Sequence, residues 1–218
     1  MFYDCSSLIT APELPATKLA DHCYYTMFKG CTSLVTAPKL LATELALNCY
    51  SYMFEKCTSL TIAPELPATK LANYCYSNMF SYCYSLKTAP DLSATELADG
   101  CYCYMFRDCT SLTIAPVLPA ITLKDSCYSN MFRVCTSLTT VPELSGTSLV
   151  KNCYSSMFYG CSKLNYIKAL FTTTPSSSYT YNWVYGVPRT GTFIKNKNAT
   201  WSTTGNHSVP SGWTVEYV

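Results

Sequence analysis

The stretch CYSNMFSYCYSL, Cys75 to Leu86, returns one period later as CYCYMFRDCTSL, Cys101 to Leu112. Working outward from it, Met-Phe recurs at Met1, Met27, Met53, Met79, Met105, Met131 and Met157, always 26 residues apart and without insertion. Cys5, Cys31, Cys57, Cys83, Cys109, Cys135 and Cys161 keep the same step. So do the Cys-Tyr pairs that begin at Cys23, Cys49, Cys75, Cys101, Cys127 and Cys153, and the prolines Pro12, Pro38, Pro64, Pro90, Pro116 and Pro142. A fixed period of this length marks an architecture in which each unit buries its apolar face against its neighbours. Residues 1–156 form six full repeats and 157–171 a partial seventh. The expectation is an α/β repeat solenoid of 26-residue rungs over residues 1–171.

Composition agrees with a packed chain: 49% of the residues are hydrophobic and 13% charged, which excludes a disordered polymer. A net charge of +2 offers no electrostatic basis for binding nucleic acid or an anionic membrane. No apolar run approaches the ~18 residues of a membrane span, so no membrane insertion is expected.

Within a rung, Tyr24, Met27, Phe28 and Cys31 fall at i, i+3, i+4 and i+7. That spacing predicts a short helix with these residues on its buried face. Positions 22, 25, 26, 29 and 30 then point outward, and they change freely between rungs. Asp21, Asn48, Asn73, Asp99, Asp125 and Asn152 stand where N-caps would. After the second cysteine, Thr-Ser-Leu-x-x-Ala-Pro reads as a short strand pairing in parallel with its copy in the next rung and ended by proline. Lys18, Glu44, Lys70 and Glu96 alternate in sign down one column, which favours correct register.

The 14 cysteines admit three readings: a disulfide framework, a metal site, or buried free thiols. Cys23 and Cys31 on one helix would be separated by about 12 Å of rise, beyond the reach of a bridge. Neither column has zinc-site spacing, and there are 2 histidines, so no metal and no cofactor is expected. The favoured reading is a stacked column of small apolar thiols. Cys103 lies on the outward side and is the one thiol expected to react.

The unit MFxxCTSLxxAPxLPATxLAxxCYxx, matched by residues 53–78, resembles the BspA-like leucine-rich-repeat surface proteins, in the variant with Met-Phe before the cysteine. That family occurs in gut and oral bacteria, in some protists, and in phages of such bacteria. The resemblance covers residues 1–171. It implies a leucine-rich-repeat-like right-handed solenoid with a parallel sheet along one side, and adhesion at a cell surface. Ala-Pro stands here where many members have Ile-Pro or Leu-Asp.

Residues 172–218 differ in composition. TTTPSSS (172–178) reads as a polar hinge, and beyond it lie all 3 tryptophans, Trp183, Trp201 and Trp213. Short strands between turns predict a small β-rich C-terminal cap over the last rung. VPSGWTV near the chain end resembles the small element that follows such repeats in Bacteroides-type proteins.

No nucleophile elbow, H-E-x-x-H or phosphate loop is present, so a non-catalytic binding or adhesion module is expected, not an enzyme. Candidate binding residues are the outward Tyr25, Lys29, Tyr52, Glu55, Tyr74, Tyr82, Tyr104, Arg107, Asp108 and Arg133, whose mixture of tyrosine and charge resembles a paratope. Their partner would be a protein or glycan at a cell surface. The rival face is the strand side, rich in Thr, Val and Ile. A phage tail or receptor-binding component in a virion is the alternative function, and a purely structural spacer the second. Met1-Phe2-Tyr3-Asp4 has neither the basic start nor the apolar core of an export signal. Met1 occupies the repeat's own methionine column. This end is expected to continue into upstream rungs or a cap, or to dock on another chain.

Overall fold

The computed structural model describes all 218 residues. It is mostly non-helical and contains one open parallel sheet of three strands, β1 (Tyr166–Ala169), β2 (Thr192–Lys195) and β3 (Thr214–Tyr217). A single helical turn, α1 (Ser177–Thr180), is the one α-helix. The helix expected in each repeat is therefore absent.

In its place runs a ribbon of hydrogen-bonded turns. In the first repeat the N–H groups of Cys23, Tyr25, Met27, Lys29 and Cys31 reach back three residues, at 3.1–3.2 Å. The intervening N–H groups of His22, Tyr24, Thr26, Phe28 and Gly30 donate across to Leu47, Cys49, Ser51, Met53 and Glu55 of the next repeat, at 2.8–3.0 Å. Backbone groups thus alternate between closing a turn and joining two repeats, and few are left unpaired. His22, Thr26 and Gly30 have φ of 59°, 53° and 77°. The same left-handed conformation recurs every fourth residue in later repeats, as at Asn48, Tyr52 and Lys56. Positive φ at the third residue is what a type II turn requires, and no α-helix tolerates it. A ribbon with a four-residue period buries i, i+3, i+4 and i+7 just as a helix does, which is why the spacing alone suggested one.

The acidic and amide residues near the start of the ribbon act between repeats, not as helix caps. Asp21 Oδ1 accepts from Leu47 N–H at 3.0 Å, and Asn73 Oδ1 from Asp99 N–H at 3.1 Å.

The expected strands shrink to single parallel bridges. Thr10, Thr36, Ile62, Thr88 and Ile114 form one line of them, and Glu44, Lys70, Glu96 and Thr122 a second. In the first line a proline two residues after each bridge has no N–H to extend it. A continuous sheet appears only where proline gives way to Tyr166-Ile-Lys-Ala and its partners, with Tyr166 opposite Thr192 and Thr192 opposite Thr214.

The core is built from columns of identical side chains. Phe2, Phe28, Phe54, Phe80, Phe106, Phe132 and Phe158 stack at centroid distances of 5.5–6.1 Å with planes within 10°. Tyr24, Tyr50, Tyr76, Tyr102, Tyr128 and Tyr154 do the same at 5.8–5.9 Å. Both distances suit offset stacking. All fourteen cysteines are free. From Cys57 to Cys161, the column after Met-Phe donates each S–H to a phenylalanine carbonyl 29 residues earlier, at 3.1 Å. The thiol is small enough for the interior and still satisfies a second lone pair of that carbonyl.

The ribbon pattern passes the boundary expected near residue 171. Asn152, Tyr154, Ser156, Phe158 and Gly160 donate to Ser178, Tyr179, Tyr181, Trp183 and Tyr185. Trp183 lies 26 residues after Met157 and packs, tilted by 34° and 43°, against Tyr154 and Phe158 at 6.3 and 5.9 Å. Beyond it, Asn182 N–H donates to His207 Nδ1 at 2.9 Å and Trp183 Nε1 to Ser208 O at 2.8 Å. The last ribbon is thus closed by residues 206–208.

Candidate functional site

The outward positions of the ribbon gather into groups, not a uniform surface. Lys29 Nζ lies 2.6 Å from Glu55 Oε2 and sits over the rings of Tyr52 and Tyr3 at 5.2 and 6.0 Å. Tyr25 meets Tyr52 edge-on at 5.6 Å. Burial pulls the Lys29 ammonium pKa down, but the hydrogen bond and charge of Glu55 more than offset this and hold it above the usual lysine value. Glu55 is 8% exposed, so this expected outward carboxylate is a buried ion-pair partner.

A second group forms around Arg107, three repeats on from Lys29. The Arg107 guanidinium lies 5.1 Å from the Tyr82 ring centre and 5.6 Å from that of Tyr104, while its Nε donates to Asp108 Oδ2 at 3.1 Å. Tyr84 stands edge-on to Tyr82 at 6.3 Å. In the third, Arg133 lies 4.0 Å over Tyr159, which stacks on Tyr185 at 4.9 Å. Such cation–ring contacts contribute about 0.5–1 kcal/mol each at exposed sites. Tyr74 is exposed beside Gly100, where an added Cβ would fall 2.2 Å from its ring.

Between these groups the ribbon face is drier than its composition suggested. Ser77, Asn78, Ser81, Ser129 and Asn130 are buried. The repeats stack closely, and buried serine hydroxyls turn to the backbone of the next repeat. Ser81 Oγ, for example, donates to Tyr104 O at 2.7 Å. Cys103 is likewise corrected: it is 8% exposed, and burial pushes its thiol up to about 12. The exposed thiols are Cys5 and Cys23.

The bridge side, already the rival face on its Thr, Val and Ile, also carries proline-lined grooves that the sequence reading passed over. Ile9, Val35, Ile62, Ile114, Val117 and Ile121 are exposed there, Ile62 by 69% and Val117 by 71%. Shallow grooves run beside them, one lined by Pro64, Leu66, Pro67 and Pro90 and another by Pro12, Pro15, Pro38 and Leu41. The signal was available in the Pro-x-Leu-Pro-Ala-Thr segment, whose alternation places every second residue outward.

No group of three His, Cys, Asp or Glu side chains converges to hold a metal ion, and no helix is long and apolar enough to cross a membrane. Compared with known proteins, the chain matches no family model, no curated protein and no solved structure.

Proposed function

We propose that this chain is a leucine-rich-repeat-like solenoid of the BspA-like kind, acting as a non-catalytic binding module at a bacterial cell surface. The observation that carries this reading is a contrast within the ribbon. Its inward columns repeat Cys-Tyr and Met-Phe almost unchanged, while its outward columns vary and assemble the three tyrosine–cation groups around Lys29, Arg107 and Arg133. Invariant scaffolding beneath a varied, tyrosine-rich surface suits recognition of a protein or glycan, since tyrosine offers contact area at low entropic cost.

Replacing Tyr82 and Arg107 together by serine tests the reading. Attachment to bacterial or host cell surfaces, or to glycan and protein arrays, should weaken at least tenfold while thermal unfolding shifts little. Unchanged attachment by the double variant would remove the ribbon face from consideration and point to the bridge side.

A second reading, a tail or receptor-binding component of a virion, is favoured by one observation. Fourteen free thiols suit assembly in a reducing cytoplasm.

A further inference from the structure

One line of backbone bonds crosses the ribbon at the same place in each repeat. Thr26 N–H donates to Ser51 O, Tyr52 N–H to Ser77 O, and so on as far as Ser156 N–H and Tyr181 O, all at 2.7–3.0 Å. A carbonyl keeps its lone pairs at any ordinary pH, so these links are indifferent to acid. The next link breaks the series. Asn182, left-handed at φ 48° like the donors before it, again reaches the residue 25 positions on, but there the acceptor is a side chain, His207 Nδ1, at 2.9 Å. The His207 carbonyl is taken by Thr180 Oγ1 at 2.7 Å.

A ring nitrogen that accepts a hydrogen bond carries no proton, so the closed strap holds His207 as the neutral ring with its proton on Nε2. Protonation sets an N–H against the Asn182 N–H, and the link is lost. The groups that face the ring are the Asn182 amide and the Tyr181 ring, stacked at 5.4 Å and inclined by 24°. No carboxylate oxygen lies within 4.0 Å of its nitrogens, so nothing there retains an imidazolium. The ring is partly exposed, and protons reach it without prior unfolding.

The segment that His207 anchors has its own internal order. Gly205 N–H donates to Val209 O at 2.7 Å, and Ser208 Oγ to Thr203 O at 2.6 Å. It meets the ribbon through His207, through Asn206 O, which accepts from Val184 N–H at 3.4 Å, and through Ser208 O, which accepts from Trp183 Nε1 at 2.8 Å. Trp183 beneath it is fully buried. Among these ties, only the one to Nδ1 depends on the absence of a proton.

We propose that residues 203–209 are an acid-released clasp on this end of the ribbon, with His207 as the group that senses the proton. At neutral pH the ring stands in for the carbonyl that the earlier repeats use. As pH falls through the ordinary histidine range, about 6.5, the ring takes a proton from solvent, the Asn182 link breaks and the clasp lifts from Trp183. The direction follows from the acceptor role: the closed clasp binds the neutral ring, so acid favours the open form and a return to neutral pH closes it.

Amide hydrogen exchange, followed residue by residue by NMR on the whole chain and corrected for the intrinsic rate, tests this. Between about pH 7.5 and about pH 5, either side of the histidine range, the Asn182 amide should lose protection at least tenfold. The Ser156 amide, which donates to a carbonyl in the same line, should keep its own. His207→Asn offers Oδ1 in place of Nδ1, an acceptor that takes up no proton in this range. It should keep the Asn182 amide protected at both pH values. Equal protection of the wild-type Asn182 amide at the two pH values overturns the proposal, and so does a loss that Ser156 shares or that His207→Asn retains. Should His207→Asn leave the amide unprotected at neutral pH, the nitrogen shifts of His207 in the wild-type chain decide. A bare Nδ1 at neutral pH that gains its proton in step with the loss of Asn182 protection is the expected result. The opposite tautomer, or a ring that titrates while Asn182 stays protected, overturns the proposal.

Discussion

The ribbon side and the bridge side of each repeat use the same backbone in opposite ways. On the ribbon, alternate N–H groups close turns or reach the next repeat, and from Cys49 onward the Met, Phe and Cys side chains of the inward columns are fully buried. On the bridge side, one residue pairs per line, prolines block extension, and isoleucines stand in solvent. The ribbon also holds non-glycine residues in the left-handed region, each costing on the order of 1–3 kcal/mol, a strain that the stack beneath it overcomes. The difference teaches that cohesion between repeats resides in the ribbon and its side-chain columns. The bridge side is free to vary its surface.

The largest expected effect is alkaline unfolding. Burial pushes Cys49 and Cys153 up to about 11, and Cys75 and Cys161 up to about 12, from an ordinary value near 9. It lifts the hydroxyls of Tyr76, Tyr102, Tyr128 and Tyr154 well above theirs. Below pH 9 both folded and unfolded chains keep these thiol protons and stability is unaffected. Above it the unfolded chain releases them first, and each thiol costs up to about 1.4 kcal/mol per pH unit until its folded pKa is reached. Several such groups exceed the 5–15 kcal/mol of a typical domain. Circular dichroism should record cooperative loss of structure between pH 9 and 12. A native spectrum at pH 12 would break the claim that the ribbon side holds the fold.

Next in size is a gap in a ring column. Phe80 is fully buried and stacks at 5.7 Å on both Phe54 and Phe106. Phe80→Ala should cost about 3–5 kcal/mol, measured by denaturant unfolding at pH 7.

Smaller effects test the turn geometry. Gly100 has φ of 59°, and a Cβ there would collide with the Tyr74 ring. Gly100→Ala should destabilise by roughly 1–3 kcal/mol. Val134 has φ of 61°, unfavourable for a β-branched residue. Val134→Asn should stabilise by up to about 1 kcal/mol, because asparagine adopts the left-handed region at less cost, and opposite signs for the two substitutions would sharpen the assignment of ribbon strain.

These left-handed positions also explain what the sequence did and did not disclose. The period, the buried residues and the aromatic columns were legible, because stacking requires identical side chains at identical places. Turn against helix was not decided by that pattern, since both bury the same four positions. The deciding signal was fainter: Gly30, Gly100 and Gly160, with Asn48, Asn78 and Asn130, occupy the fourth-residue positions where positive φ falls. Tyrosine and valine at the same positions in other repeats masked it. The candidate site was legible as a set of variable columns. Its grouping around Lys29, Arg107 and Arg133 was not, because ring and guanidinium meet across repeats through rotamers that spacing does not specify.

The smallest expected effect lies on the bridge side. Ile62 and Ile114 are 69% and 64% exposed, so neither gains much from burial. Their column already accepts threonine at Thr36, Thr88 and Thr140, each in the same kind of parallel bridge. Threonine keeps the β-branch that suits extended backbone. Replacing both isoleucines by threonine should change unfolding free energy by no more than about 0.5 kcal/mol per site, as for surface substitutions generally. Denaturant unfolding beside Phe80→Ala makes the contrast direct. A loss above about 2 kcal/mol for the double threonine variant would mean that the bridge columns share in holding the repeats together, because two independent surface changes would not reach it.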